Sequence, residues 1–431
     1  MIRFVLPDAE APSLAAEESV EDTSDGCTRL YDGRFCAAYA ANTLTAVASG
    51  LTYRYADFVT FLGGTEFHLG WIVGVGMIGS VLMRLWLGTH IDHRGPRLVW
   101  LASLAALVAV SFGHLAIQRH DSPPIYLLRI AFCTALAGVW GASTTFISSR
   151  CAARRMAEAI GMLGTSGFVG IMFGTQLGDA LCVGADGLRE PVDRLFIAAG
   201  LAASLALPFA WVATRGLAAR HREKTAAAIA VLRRHQPAMI FVVGTVAGAA
   251  IALPATFLRT YAQGLRIPRI GLFFAVCAVI AVVSRFTARR LPERLGLPRM
   301  ILVGLGVMIV SQFLFLAVKT EWELAIPAVF AGVAQAILFP TIVTESSRPF
   351  PGDFRGLGTT VILASFDLGQ VLGAPAAGAV LHYADSLGLP DYPTLFVAMA
   401  AMLAVTGGAY WRLVKVEASA RAAEAVDCPA I

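Results

Sequence analysis

This chain repeats one stretch, Arg84-Leu-Trp-Leu-Gly88-Thr-His-Ile-Asp92-His-Arg94-Gly95-Pro-Arg97, in a degraded form as Arg285-Phe-Thr-Ala-Arg289-Arg-Leu-Pro-Glu293-Arg294-Leu-Gly296-Leu-Pro-Arg299. Three landmarks of the second copy, Arg285, Glu293 and Gly296, each lie 201 positions after their counterparts Arg84, Asp92 and Gly95. In both copies a long apolar segment leads into the stretch and another follows it. The spacing indicates an internal duplication, and a short turn repeated between apolar segments suggests two like halves of a membrane protein.

The composition is that of a membrane protein. Hydrophobic residues make up 57% of the 431 residues and charged residues 15%, and the mean hydropathy is +0.68, values that exclude an ordinary soluble domain. Apolar runs of about 20 residues predict transmembrane helices, because a chain in lipid must satisfy its backbone hydrogen bonds internally. Twelve such runs are predicted, at 35–61, 67–87, 98–117, 125–147, 156–183, 195–214, 239–261, 270–287, 300–318, 324–344, 356–381 and 394–413.

The distribution of positive charge predicts the topology. Alternate loops carry 18 Lys and Arg residues and the other loops carry 6, so the positive-inside bias puts both termini in the cytoplasm. The net charge of +5 then reflects orientation and does not indicate nucleic-acid binding. The predicted domains are a disordered acidic cytoplasmic tail (1–34), a six-helix bundle (35–214), a basic cytoplasmic linker (215–238), a second six-helix bundle (239–414) and a cytoplasmic tail (415–431).

Nothing in the sequence has the pattern of an enzyme active site. The 7 cysteines and 8 histidines are scattered, without the short paired spacings of a metal site or a disulfide framework. A P-loop and a nucleophile elbow are both absent from the sequence. We therefore predict no enzymatic activity, no catalytic residues, no cofactor and no metal.

The first copy of the repeated stretch resembles the loop between spans 2 and 3 of the major facilitator superfamily. It follows the pattern Gly-x-x-x-Asp-Arg-x-Gly-x-Arg-Arg at Gly88, Asp92, Arg94, Gly95 and Arg97, except that His93 and Leu98 stand where the family usually has basic residues. The resemblance covers about 35–413 and implies a fold of twelve transmembrane helices in two pseudo-symmetric six-helix bundles. It also implies a cytoplasmic gate. We assign to this gate the residues that follow the pattern and three further landmarks of the two copies: Gly88, Asp92, Arg94, Gly95 and Arg97, with Arg84, Glu293 and Gly296.

Spans 5 and 11 carry a second resemblance. The series Gly170, Gly174 and Gly178 is similar to the glycine-rich motif in the fifth span of exporters of this family, with Thr175 in the usual proline position. Its counterpart in span 11 is Gly369, Gly373 and Gly378. Small residues at every fourth position let another helix approach closely. We assign these glycines to helix packing or to a hinge, and both roles are open.

The best candidate for proton coupling is Asp367, because it lies near the middle of an apolar span. A charge at that depth costs about 2.5 to 3.5 kcal/mol on insertion scales, so it is usually functional or paired. Proton carriage and a structural pair with a neighbouring helix are both open. Asp57, three residues after Arg54 on the same helix face, is the second candidate.

Candidate substrate contacts lie in the spans that line the cavity in the family that this chain resembles. Arg54 in span 1 and Arg259 in span 7 occupy similar places in the two halves and could clamp an anion, or could lie at the outer helix ends with Asp57 as a partner. Asn42, Trp140 and Gln335 are polar or aromatic residues within spans 1, 4 and 10.

The predicted function is a secondary transporter that works by alternating access. Its ligands would be protons and a small-molecule substrate, anionic or amphiphilic, and it would act as a monomer in a bacterial inner membrane. We expect proton-coupled export. Proton-coupled uptake is the nearest alternative, and a sensor or assembly protein that keeps the fold without transporting is the alternative from another class.

Overall fold

The computed structural model describes residues 31–150, 153–182, 188–216, 238–287, 291–350 and 355–426. For several helical residues, among them 88–94, 292–293 and 355–357, the backbone alone is described. The regular secondary structure of the described part of the chain is all helical, with no strand, which confirms the predicted all-α class. The predicted acidic tail and basic linker fall largely on 1–30 and 217–237, outside the described residues.

Twelve spans are found in the described ranges, and we number them in chain order. Span 1 is the helix Gly33–Leu51, continued by a 3-10 turn, Thr52–Arg54, and the short helix Tyr55–Phe61. Spans 2 and 3 are Glu66–Leu87 and Gly95–Ala116, two parts of one kinked helix. Spans 4 to 12 are Pro123–Arg150, Ala153–Cys182, Arg189–Thr214, Ala238–Gly264, Gly271–Thr287, Leu297–Leu314, Ala325–Ser347, Arg355–Ser386 and Asp391–Val426.

The length and surface of these helices suit a bilayer. Ten are long and apolar enough to cross a membrane in the described part of the chain, span 8 is a shorter apolar helix, and span 1 is interrupted by its 3-10 turn. Large apolar side chains such as Leu82, Leu127 and Val405 remain exposed on their outer faces. A soluble monomer does not expose apolar surface on this scale, so these faces contact lipid.

The two copies of the repeated stretch make the same backbone turn. Gly95 has a φ of 76° and Gly296 a φ of 78°, and each begins the helix that follows. This left-handed conformation is accessible to glycine at little cost. Pro96 and Pro298 follow at helix starts, where the missing N–H of proline does no harm. The duplication therefore appears in the backbone as well as in the sequence.

Glycines hold span 5 against span 1 and, in the same way, span 11 against span 7. A Cβ placed at Gly170 would lie 2.3 Å from the carbonyl oxygen of Thr43, and one at Gly369 would lie 2.0 Å from that of Thr245. Gly174 and Gly373 repeat the contact one turn later, on Val47 and Ala249. The close approach needs the absent side chain at each of these positions.

The two halves of the molecule meet mainly where span 2 packs on span 11 and span 5 packs on span 8. We call the end of the bundle that carries loops 117–122 and 265–270 the distal end. The proximal end carries the start of span 1, where Asp32 pairs with Arg150 at the end of span 4. The helix of span 12 continues to Val426, beyond the predicted end of the span at 413, because the segment after it is rich in alanine and other helix-forming residues.

Candidate functional site

A buried network of ion pairs joins the two halves at the distal end. Asp57 accepts hydrogen bonds from Arg54 Nε at 2.6 Å and, across the interface, from Arg259 Nε at 2.7 Å and Gln263 Nε2 at 3.1 Å. Asp179 of span 5 accepts from Arg54 Nη1 at 2.9 Å and from the backbone N–H of Gly271 at 2.6 Å. Three residues of the first half thus hold the start of span 8 and the end of span 7.

The local structure of span 1 places this network. Arg54 ends a 3-10 turn and Asp57 lies three residues on, so the two side chains point the same way. Arg54 and Arg259 are 1% and 2% exposed, and Asp179 is 2% exposed. Charges this deeply buried are tolerated only when paired and hydrogen-bonded. The two arginines were predicted either to clamp an anion or to have Asp57 as a partner. In this conformation Arg54 pairs with Asp57 and Asp179, and Arg259 pairs with Asp57.

A second ion pair joins the halves between span 2 and span 11. Asp367 is 4% exposed and accepts from Arg84 Nε and from Ser80 Oγ, each at 2.5 Å. Ser80 and Arg84 lie one turn apart on span 2 and therefore share a face. The structure brings together the predicted proton-coupling residue and a residue that the repeated stretch assigns to the gate.

The other predicted substrate contacts are dispersed within the bundle. Asn42 donates to Ser143 Oγ of span 4 at 3.1 Å and is buried within the first half. Trp140 lies beside span 5, where a Cβ at Gly167 would be 3.5 Å from its ring. Gln335 of span 10 donates to Cys277 Sγ of span 8 at 3.4 Å. These positions leave the substrate roles as predictions.

The predicted gate is described only in part. The backbone alone is described for Gly88, Asp92, Arg94 and Glu293, and Arg97 is half-buried at the start of span 3. Gly95 and Gly296 form the two turns, and Arg84 pairs with Asp367.

The third glycine of each series differs in its surroundings from the first two. Gly378 packs on Glu66 and Gly70 of span 2, across the interface between the halves, whereas Gly178 lies beside Arg54 within the first half. Close packing accounts for Gly170, Gly174, Gly369, Gly373 and Gly378, whereas a Cβ at Gly178 would make only ordinary contacts, the nearest at 3.5 Å from Arg54. A hinge role stays a prediction.

Three members of these clusters were missed by sequence reasoning. Asp179, Ser80 and Gln263 complete the two clusters of polar contacts. An acid less than a turn from the end of span 5 was a usable signal for Asp179, because a charge inside a span normally has a partner. No signal in the sequence pairs Ser80 with a residue 287 positions away. In the described ranges, no group of three His, Cys, Asp or Glu residues could hold a metal ion.

Comparison with known proteins identifies the family. The sequence profile of the Major Facilitator Superfamily matches residues 33–320 and 269–427. The chain belongs to the major facilitator superfamily. This membership confirms the predicted family, and with it a multi-pass transporter of the bilayer that is not an enzyme. Members bind small-molecule substrates, and some couple transport to protons.

Relatives within the superfamily are distant in sequence and similar in fold. A protein of Salmonella paratyphi C named as an uncharacterized MFS-type transporter, YhhS, is 22% identical over 82% of this chain and 85% of its own. A putative tartrate transporter of Agrobacterium vitis is 27% identical over 32% of this chain and 31% of its own. The crystal structure of the nucleoside transporter NupG has a TM-score of 0.72 at 14% identity, over 89% of this chain and 99% of that one. That of a D-xylose-proton symporter has a TM-score of 0.71 at 14% identity, over 88% and 97%.

Proposed function

We propose that this protein is a proton-coupled secondary transporter that exports a small organic solute by alternating access. The observation that carries the proposal is the pair between Asp367 and Arg84, which joins the two halves through a carboxylate that is almost fully buried. Protonation would neutralise the carboxylate and remove its attraction to Arg84. A proton would therefore bind the two access states with different affinity, which is what coupling requires.

We propose that the distal network is a second gate, which closes the distal end of the protein. Asp57 and Asp179 hold spans 7 and 8 against the first half, so the distal end can open only if these pairs separate. Both arginines would then face water, and an anion on its way through could contact them. The distal network replaces the anion clamp as the principal role of Arg54 and Arg259 in this proposal.

Export is favoured by the resemblance of the span 5 glycine series to that of exporters. Uptake by proton symport is the alternative, supported by the fold shared with a D-xylose-proton symporter. For the substrate, the names of the relatives suggest three chemical classes to test first: an organic acid such as tartrate, a nucleoside and a pentose.

Direction and coupling can be tested together in inverted membrane vesicles that carry the full chain. When ATP-driven proton pumping acidifies the vesicle interior, an exporter accumulates labelled substrate inside, and a symporter releases substrate that was loaded beforehand. Asp367→Asn should abolish both the gradient-driven flux and substrate-induced proton movement. Ser80→Ala, which removes a hydrogen bond to Asp367 but no titratable group, is the matched control and should remain coupled. Gradient-driven flux that persists in Asp367→Asn would refute the coupling proposal. If no substrate of the three chemical classes is transported, the result would favour a non-transporting protein.

A further inference from the structure

The duplication makes Arg285 the counterpart of Arg84, but the two arginines have different partners. Gly369 and Gly373 of span 11 lie 199 positions after Gly170 and Gly174 of span 5, and the two pairs make equivalent helix contacts. The same offset relates Asp367 to Phe168. Accordingly, the Arg285 guanidinium lies over the Phe168 ring, with its carbon 4.8 Å from the ring centroid, in the place where Arg84 meets a carboxylate.

Arg285 therefore carries a charge without an anion. Its Nε is buried and makes no hydrogen bond, and no described residue forms an ion pair with it. An aromatic face attracts a guanidinium, but it supplies none of the bidentate acceptors that the fork of donors matches. Leaving such donors unsatisfied costs free energy that an anionic ligand would recover.

The space beside Arg285 is open on the side of span 5. Gly164, one turn before Phe168, is exposed, and a Cβ built there would lie 3.6 Å from Arg285 Nη1. At Gly161, one turn earlier, a Cβ would meet no atom within 4 Å. These two glycines of span 5 thus leave room for a small ligand against the guanidinium. Trp140 of span 4 lies beside Gly167, the next residue of span 5 after Gly164 that lacks a side chain.

We propose that Arg285 binds the carboxylate of the transported substrate, in the space formed by Gly161, Gly164 and Phe168. The inference rests on the proposed function and gives its substrate a chemical class, a small organic acid. One half of the duplicated structure then supplies its own carboxylate, Asp367, and the other half receives one from the ligand.

A stability test in neutral detergent examines the missing charge without any ligand. Phe168→Asp should rebuild the pair of the other half and raise the midpoint of thermal unfolding by several degrees, whereas Phe168→Asn should not. The gain should disappear in the double variant Phe168→Asp with Arg285→Gln. An equal shift in the Asp and Asn variants would overturn the inference.

A binding test uses the same purified protein and a panel of small acids, namely lactate, succinate, tartrate, citrate and benzoate, each beside its neutral amide. At least one acid should bind wild type, with its amide at least tenfold weaker. Arg285→Gln and Phe168→Asp should each weaken that acid at least tenfold. Arg119→Gln, which removes a guanidinium from the exposed distal pair with Asp121, is the matched control and should stay within about threefold. An affinity unchanged in Arg285→Gln, or no binding of any acid, would overturn the inference.

A lipid phosphate could also neutralise a guanidinium, so a separate arm adds phosphatidylglycerol to the detergent. Stabilisation by this lipid alone, lost in Arg285→Gln and not reproduced by any acid, would assign the site to a headgroup and overturn the substrate role. Binding is measured here without a gradient. If no acid binds through Arg285 but flux still depends on Asp367, only the present inference is refuted. If acids bind as expected but flux does not depend on Asp367, only the proposed coupling is refuted.

Discussion

Replacing Asp57 with asparagine should open the distal end of the protein. Asp57 links the halves, because it accepts from Arg54 on its own helix and from Arg259 and Gln263 on span 7. Asparagine keeps the size of the side chain but removes the charge. In the closed state the Arg259 guanidinium would then be buried against an amide where the wild type has the Asp57 carboxylate. In an open state, water would solvate the guanidinium.

The magnitude follows from the burial of the partners. Removing one member of a buried ion pair costs about 3 to 5 kcal/mol. The Asp57 side chain is 12% exposed and Arg54 keeps Asp179, so the lower end of that range applies, at about 3 kcal/mol. Since about 1.4 kcal/mol is a tenfold change in an equilibrium, the ratio of closed to open molecules should fall on the order of a hundredfold.

The opening can be measured as a distance between two spin labels in a variant with the seven native cysteines replaced. Gln118→Cys and Thr320→Cys place the labels in exposed distal loops of the two halves. Asp57→Asn should shift the distance distribution to longer values in the absence of substrate. Asp121→Asn removes the exposed pair with Arg119 at the same end and should leave the distribution unchanged. A distribution in Asp57→Asn that matches wild type would refute the assignment of this network as a gate.

Two further predictions concern stability. Gly369→Ala should lower the midpoint of thermal unfolding in detergent, because its Cβ would meet backbone atoms of span 7 and overpacking costs about 1 to 3 kcal/mol. Gly408→Ala, where nothing lies within 4 Å, should leave it unchanged or raise it, and equal losses would contradict the packing argument. Asp32 caps span 1 by accepting from the Phe35 N–H, and the hydrogen bond from Arg150 holds the pKa of its carboxyl below the ordinary value. Its charged form therefore stabilises the fold above the ordinary carboxyl pKa of about 3.9, and this contribution is lost as the pH falls below that value. Asp32→Ala should destabilise by about 1 kcal/mol at pH 7, Asp32→Asn by less because the cap acceptor remains, and the deficit of Asp32→Asn should shrink at pH 3. A deficit that is independent of pH would contradict the role of the charge.

The sequence by itself determined the fold class, the twelve spans and the duplication. These follow from local properties: the length of an apolar run is set by the thickness of the bilayer, and a left-handed turn selects glycine wherever it occurs, as at Gly95 and Gly296. Burial inside a span marks a charge as paired or functional, so the sequence alone indicates that Asp367, Arg54 and Arg259 are important, and it offers Asp57 as a partner of Arg54.

Only the tertiary structure decided which charges of different spans meet. The pairs of Arg84 with Asp367 and of Arg259 with Asp57 join residues 283 and 202 positions apart, and no periodicity in the sequence encodes contacts between spans of different halves. Of the two alternatives open for the arginines, the structure shows pairing with carboxylates: Arg54 with Asp57 and Asp179, and Arg259 with Asp57. Asp367 and Phe168 occupy equivalent positions in the two halves, and this too could be recognised only from the structure. The packing of span 5 on span 8 puts the Phe168 ring against Arg285, where the other half has a carboxylate. Hydropathy depends on each segment alone, whereas ion pairing depends on the positions of two helices relative to each other, so the first could be derived from the sequence and the second could not.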